Sequence, residues 1–194
     1  MSSPVIDVQD LRKTYGSTVA VDGVTFQVEE GEIFGIVGPN GAGKTTTIEC
    51  LEGLRRPDGG KVRVLGRDPA RERRQLAVHI GVQLQESALP DRLRVGEALA
   101  LFASLYPRSL DQRELLAQLG LADQVRTPFA KLSGGQKQRL FLALALVHDP
   151  TVLFLDELTT GLDPHGRRTV WELIRAIRAR GKTVLLSTHL MEEA

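Results

Sequence analysis

Apolar positions recur along this chain with two different periods, and the two take turns. Short β-branched runs stand at Val5–Val8 and Val19–Phe26, and Ile33–Val37 is a third, followed by glycines. Lys44–Leu54 lacks proline and carries Ile48, Leu51 and Leu54 at helical spacing. Val62–Leu65, flanked by Gly60 and Gly66, and Val78–Leu84 read as further strands. Val95, Ala98, Leu99, Phe102, Leu105 and Tyr106 follow the i, i+3, i+4, i+7 rule and predict a helix that ends at Pro107. Asp111–Leu119 reads as a shorter helix closed by Gly120. Gln136–Val147 is so rich in leucine and alanine that a largely buried helix is expected. Val152–Leu155 is a continuous apolar run, as in parallel strands covered on both faces. Val170, Leu173, Ile174 and Ile177 form one stripe of a helix whose other face is charged, and Thr183–Leu186 is the next strand. Strands alternating with helices predict an α/β fold with a mostly parallel sheet, and the strand-rich first 30 or so residues predict an added antiparallel portion.

Composition narrows the class without naming a chemistry. A length of 194 residues suits one domain, and 42% hydrophobic with 25% charged residues excludes a disordered, collagen-like or coiled-coil chain. A net charge of +1 gives no general pull towards nucleic acid or acidic lipid. The single Cys50 excludes an intramolecular disulfide framework and is read as a small packed side chain. The first residues have no apolar core of a secretory signal, and no run approaches the length of a membrane span. Basic residues cluster from Arg55 to Arg74, interrupted by Asp58, Asp68 and Glu72, which reads as a solvated face.

The 19 glycines matter through their placement. Gly38-Pro39-Asn40-Gly41-Ala42-Gly43-Lys44-Thr45 is a complete P-loop pattern, after a predicted strand and before a predicted helix. Glycines let successive N–H groups turn inward on a phosphate chain, and the helix N-terminus adds partial positive charge. Lys44 can reach the β- and γ-phosphates, and Thr45 offers a hydroxyl to Mg²⁺. Asp156 and Glu157 follow the apolar Val152–Leu155 run. Adjacent strand residues point to opposite sides, so Asp156 is assigned to the Mg²⁺ shell and Glu157 to an attacking water as general base. Leu132-Ser133-Gly134-Gly135-Gln136 opens the Leu/Ala-rich helix. Ser133 is an N-cap candidate, and two exposed glycines at that helix start make a second anion site.

From these motifs the chain resembles the nucleotide-binding domains of ATP-binding cassette (ABC) transporters, whose signature sequence LSGGQ stands intact at 132–136. The resemblance runs from Tyr15 to His189. It implies a single nucleotide-binding domain over 1–194, with a P-loop NTPase core at about 1–84 and 150–194 and a helical subdomain at about 85–149 that carries the signature. It implies that two domains pair head to tail, so that Ser133, Gly134, Gly135 and Gln136 act on the ATP held by the other P-loop (Gly38 to Thr45, and Thr46). Tyr15 matches the aromatic residue that stacks on adenine, and Gln85 the glutamine that senses Mg²⁺ and the attacking water, with Gln83 as its rival. Asp163, in Gly161-Leu162-Asp163, matches the loop between paired domains. His189 matches the histidine that contacts the γ-phosphate, whereas His79, His148 and His165 are read as structural or exposed. The P-loop helix and Gly81–Leu105 look most like the ATPase subunits of bacterial drug- and polysaccharide-export systems.

The implied function is Mg²⁺-dependent ATP hydrolysis by a dimer, a homodimer on this reading, on the cytoplasmic face of a membrane. It would drive export through a separate permease contacted by Gln85–Leu105, with no nucleic-acid partner. A soluble non-transport ATPase of the same superfamily and an ATP-holding module without turnover are the competing readings. Two features depart from the pattern. Leu158 stands where the family usually has proline, so a less rigid turn is expected and Leu158→Pro is expected to raise rate and thermal stability. The chain ends shortly after His189, so the family's last strands are expected to be missing and a sheet edge uncovered.

Overall fold

The computed structural model describes residues 4–83 and 88–189. Two sheets share the work. Strands β1 (Ile6–Tyr15), β2 (Thr18–Val28) and β4 (Gly59–Val64) form an antiparallel sheet in the order β2-β1-β4, while β3 (Ile33–Val37), β7 (Thr183–Thr188), β6 (Val152–Asp156) and β5 (Ile80–Gln83) form a parallel one in the order β3-β7-β6-β5. A two-residue turn with Gly16 in the left-handed region joins β1 to β2, as tight hairpins require. Among the described residues no helix is long and apolar enough to cross a membrane.

The helices are α1 (Lys44–Leu51), α2 (Arg73–Leu76), α3 (Val95–Ala103), α4 (Gln112–Gln118), α5 (Gly134–Leu146) and α6 (Pro164–Ala179). Asp111 caps α4 by accepting from the Glu114 N–H at 2.8 Å, as its place before the apolar stripe predicts. Helix α5 buries Leu140, Leu142, Ala143, Leu144, Ala145 and Leu146, in line with its composition. Helix α6 starts on Asp163, whose carboxylate accepts from Gly166, with Pro164 just inside, and turns Val170, Ile174 and Ile177 inward.

The parallel sheet separates two apolar cores. One face packs Leu153, Leu155, Val184 and Leu186 against α3, α5 and α6. The other packs Val152, Phe154 and Leu185 against α1 and the antiparallel sheet. Burial on both faces explains why β6 and β7 are apolar throughout rather than alternating. Cys50 lies in the second core at 1% exposure, and burial pushes its thiol up to about 11, so it behaves as an apolar side chain.

One carboxyl is buried against this pattern. Glu52, which ends α1, is 2% exposed, and neither of its carboxylate oxygens has a hydrogen-bond partner. Burial, with repulsion from Asp156 and Glu49 added, pushes its carboxyl up to about 8. The folded chain therefore holds a proton that the unfolded chain loses near 4.5, and stability falls as pH rises from there towards 8. Glu52→Gln is expected to remove that loss. Chemical unfolding should show the variant gaining on the parent steadily between pH 5 and pH 8.5, by on the order of 3 kcal/mol at the upper end; a constant difference would rule out Glu52 as the source.

Candidate nucleotide site

The P-loop leaves β3 at Val37 and enters α1 at Lys44. Gly43 has φ +83°, and a Cβ on it would lie 2.1 Å from the carbonyl oxygen of Ala20, so both backbone and packing demand glycine. Gly38 donates its N–H to the Thr188 carbonyl at 3.3 Å, and Ala42 donates to Pro39 at 3.2 Å, which holds the loop in a closed turn. Pro39, Asn40, Gly41 and Ala42 are exposed at its crest. Lys44 is 6% exposed, and its ammonium donates to the carbonyls of Gly38 at 2.9 Å and Pro39 at 3.0 Å. Thr45 and Thr46 are half-buried in the first turn of α1, and the Thr47 hydroxyl bonds back to Gly43 at 2.9 Å.

Glu157 meets Lys44 from the end of β6, two strands away from β3 in the sheet order. The Lys44 ammonium lies 3.7 Å from one Glu157 carboxylate oxygen, and His189 Nδ1 lies 3.7 Å from the other. Asp156, 3% exposed, accepts a hydrogen bond from the Ser187 hydroxyl, and the Glu157 N–H donates to Ser187 Oγ at 3.1 Å and to its carbonyl at 3.2 Å. Sequence reasoning passed over Ser187, because a serine inside an apolar strand carries no motif.

Glu157 itself has φ +50°, a left-handed conformation that costs a non-glycine residue roughly 1–2 kcal/mol. Ser187 and Thr160, whose N–H and hydroxyl both bond Glu157, hold it there. Leu158 is 4% exposed and packs into the first core. The expectation for Leu158→Pro therefore reverses. Proline would empty a buried leucine site and push Glu157 towards extended backbone, out of its left-handed turn.

The remaining predicted residues fall in separate places. Tyr15 ends β1, 43% exposed, with the Lys13 ammonium 5.5 Å from its ring centroid. Asp58 braces that end by accepting from Lys13 Nζ at 2.9 Å, Thr14 N–H at 2.7 Å and Thr14 Oγ1 at 2.9 Å, and these bonds hold its carboxyl down at about 2. Ser133 caps α5 in a capping box: its hydroxyl accepts from the Gln136 N–H at 3.3 Å and its own N–H donates to Gln136 Oε1 at 2.8 Å. A methyl on Gly134 or Gly135 would meet nothing within 4 Å, so internal packing does not require either glycine. Ser133, Gly134 and Gly135 share a cleft of about 460 Å³ with Gly161 and Asp163. No described hydrogen bond or ion pair links residues 133–136 to the P-loop of the same chain. Gln85 lies outside the described residues. Gln83, its rival, is buried and donates to Gln138 Oε1 at 2.9 Å. His148 is structural, as read: Nε2 bonds the Ile80 carbonyl and the ring stacks on Tyr106 at 3.9 Å.

Residues 21–160 match the family described as ABC transporter, and the chain belongs to that family, as one of its ATP-binding domains. It is 44% identical over 199 aligned positions to the Nod factor export ATP-binding protein I of Paraburkholderia xenovorans, covering 100% of this chain and 66% of that protein. The corresponding protein of Ralstonia nicotianae is 41% identical, with 62% of its length covered. The chain thus spans about two thirds of the length of the curated relatives it matches. An ATP-binding subunit of an ABC transporter superposes with a TM-score of 0.85 at 30% identity, over 98% of this chain and 81% of that one. The ADP conformation of another ATP-binding cassette, at 23% identity, gives the same TM-score and supports the fold alone.

Leu158→Pro is expected to lower stability to urea by about 2–3 kcal/mol. A variant as stable as the parent would show that the Leu158 side chain and the Glu157 backbone do not set this turn.

Proposed function

We propose that the chain is the ATP-hydrolysing subunit of an ABC exporter, working as a head-to-tail dimer on the cytoplasmic face of a membrane beside a separate permease. The observation that carries it is the convergence of Lys44, Glu157 and His189, with both carboxylate oxygens of Glu157 3.7 Å from a basic nitrogen. The relatives' names, export ATP-binding proteins, support the direction of transport.

In this reading the P-loop N–H groups and Lys44 take the phosphates, Lys44 exchanging the carbonyls of Gly38 and Pro39 for phosphate oxygens. Glu157 accepts the proton of a water that attacks the γ-phosphorus, and His189 stands beside it to hold the γ-phosphate. The donor set fits Mg²⁺: a buried carboxylate on Asp156 and a hydroxyl on Thr45 are the hard oxygen ligands this ion takes sparingly beside phosphate and water. Asp156 and Thr45 would hold the ion, Gln85 being assigned to it by the family resemblance alone, and the ion would neutralise charge on the β- and γ-phosphate oxygens. Tyr15 stacks on adenine. Ser133 and Gly134, exposed at a helix N-terminus, and the half-buried Gly135 and Gln136 cover the γ-phosphate of the second chain, and Asp163 faces the same junction. The lack of any internal packing reason for Gly134 and Gly135 supports that assignment.

Two variants test it. Glu157→Gln is expected to lower steady-state ATP turnover at least 100-fold while ATP binding persists and a dimer accumulates; turnover at the parent rate would remove Glu157 as the base. Asp58→Ala, which frees the end of β1 from its brace, is expected to raise KM for ATP several-fold and leave kcat within about twofold. An unchanged KM would separate Tyr15 from adenine binding.

A further inference from the structure

Strand β7 is buried along its whole length, with Val184, Leu185 and Leu186 filling the two cores, yet it carries a serine near its carboxyl end. Ser187 is 2% exposed. A hydroxyl withdrawn from water costs free energy unless it finds partners, and an alanine would fill the strand without that cost. The sheet register supplies the partner. Asp156 stands opposite Ser187 in the parallel ladder of β6 and β7. Side chains alternate along both strands, so the pairing that turns Phe154 and Leu185 towards the core beside α1 turns Asp156 and Ser187 the same way, to the side of the P-loop helix.

The hydroxyl has one proton, and its neighbours decide where that proton goes. The Glu157 N–H donates to Ser187 Oγ at 3.1 Å and takes up a lone pair there. The hydroxyl then donates to Asp156 Oδ1, in a bond strengthened by the carboxylate charge. One oxygen of the buried Asp156 is thereby tied to β7, which fixes the rotation of the carboxylate and leaves its second oxygen to an ion. The Glu157 N–H also donates to the Ser187 carbonyl at 3.2 Å, so the turn keeps a backbone partner whatever side chain stands at 187. The task of the hydroxyl is therefore separable from that of the strand, and it falls on Asp156.

We propose that Ser187 is a positioning residue for the metal site: its hydroxyl holds the Asp156 carboxylate in the orientation that takes Mg²⁺ beside bound nucleotide. Groups that hydrogen-bond a metal ligand commonly change metal affinity by roughly 10–100-fold when removed. The proposal rests on the reading of Asp156 as a metal ligand, and it adds the residue that aims it.

The test compares the affinity of the full chain for adenylyl imidodiphosphate, which is not hydrolysed, in Mg²⁺ and in EDTA. Calorimetry gives both values, and their ratio is the enhancement due to the metal. Ser187→Ala is expected to bind the nucleotide in EDTA within about twofold of the parent and to lose on the order of tenfold of the Mg²⁺ enhancement. Ser187→Thr, which restores a hydroxyl on a residue suited to a strand, is expected to recover it. An undiminished enhancement in Ser187→Ala overturns the proposal, as does a loss that appears equally in EDTA, which would mark a residue that only supports the fold. Failure of Ser187→Thr to recover the enhancement overturns it as well. Asp156→Asn separates the two readings. An enhancement that survives in Asp156→Asn removes Asp156 as the metal ligand and this proposal with it, whereas one lost there but kept in Ser187→Ala removes this proposal alone.

Discussion

Parallel pairing of β3, β7 and β6 brings the carboxyl ends of three strands side by side, with Val37 opposite Thr188 and Asp156 opposite Ser187. Each strand hands its next residues to the same small volume: the P-loop from β3, His189 from β7, Glu157 from β6. An antiparallel neighbour would have delivered one of these groups to the far end of the sheet. The apolar faces of β6 and β7 hold that register, because a slip of one residue would exchange the side chains presented to the two cores.

Around that junction the chain accepts local costs. Glu157 stays in the left-handed region because Ser187, Thr160 and the buried Leu158 outweigh its backbone preference. Lys44 is buried with its ammonium on two backbone carbonyls, a satisfied arrangement that phosphate oxygens can replace. Glu52 is different in kind, since among the described residues no group hydrogen-bonds its carboxylate and only the attraction of Arg73 offsets its burial. The two buried glutamates thus differ in kind: one is held by partners where chemistry needs it, the other has no hydrogen-bond partner among the described residues.

Most of the fold was legible from periodicity. Ile33–Val37 and the starts of β6, β7 and α3 coincide with the apolar runs that predict them, while β1 extends well past Val8 to Tyr15. That extension was hidden because, apart from the buried Leu11, its residues are mostly exposed and polar, held by pairing with β2 and β4. The short α2 was also hidden, being a single turn buried only at Leu76. Predicted ends past Leu51 and Ala103 overshot because Leu54 and Leu105 keep the helical spacing while standing exposed outside the helices.

The sequence by itself determined the phosphate-binding loop, the acidic pair, the signature segment and its capping serine. Each of these is a contiguous run whose backbone geometry and residue chemistry are set by near neighbours. Only the tertiary structure decided what depends on distant pairs. Ser187 meets Asp156 across 31 positions, and Gln83 meets Gln138 across 55. The same distance effect turned Leu158 from a weak turn residue into a core residue, and Glu52 from one more helix acid into a buried carboxyl that keeps its proton. Burial is a property of the whole packing, and no local pattern in a helix end or a strand turn carries it.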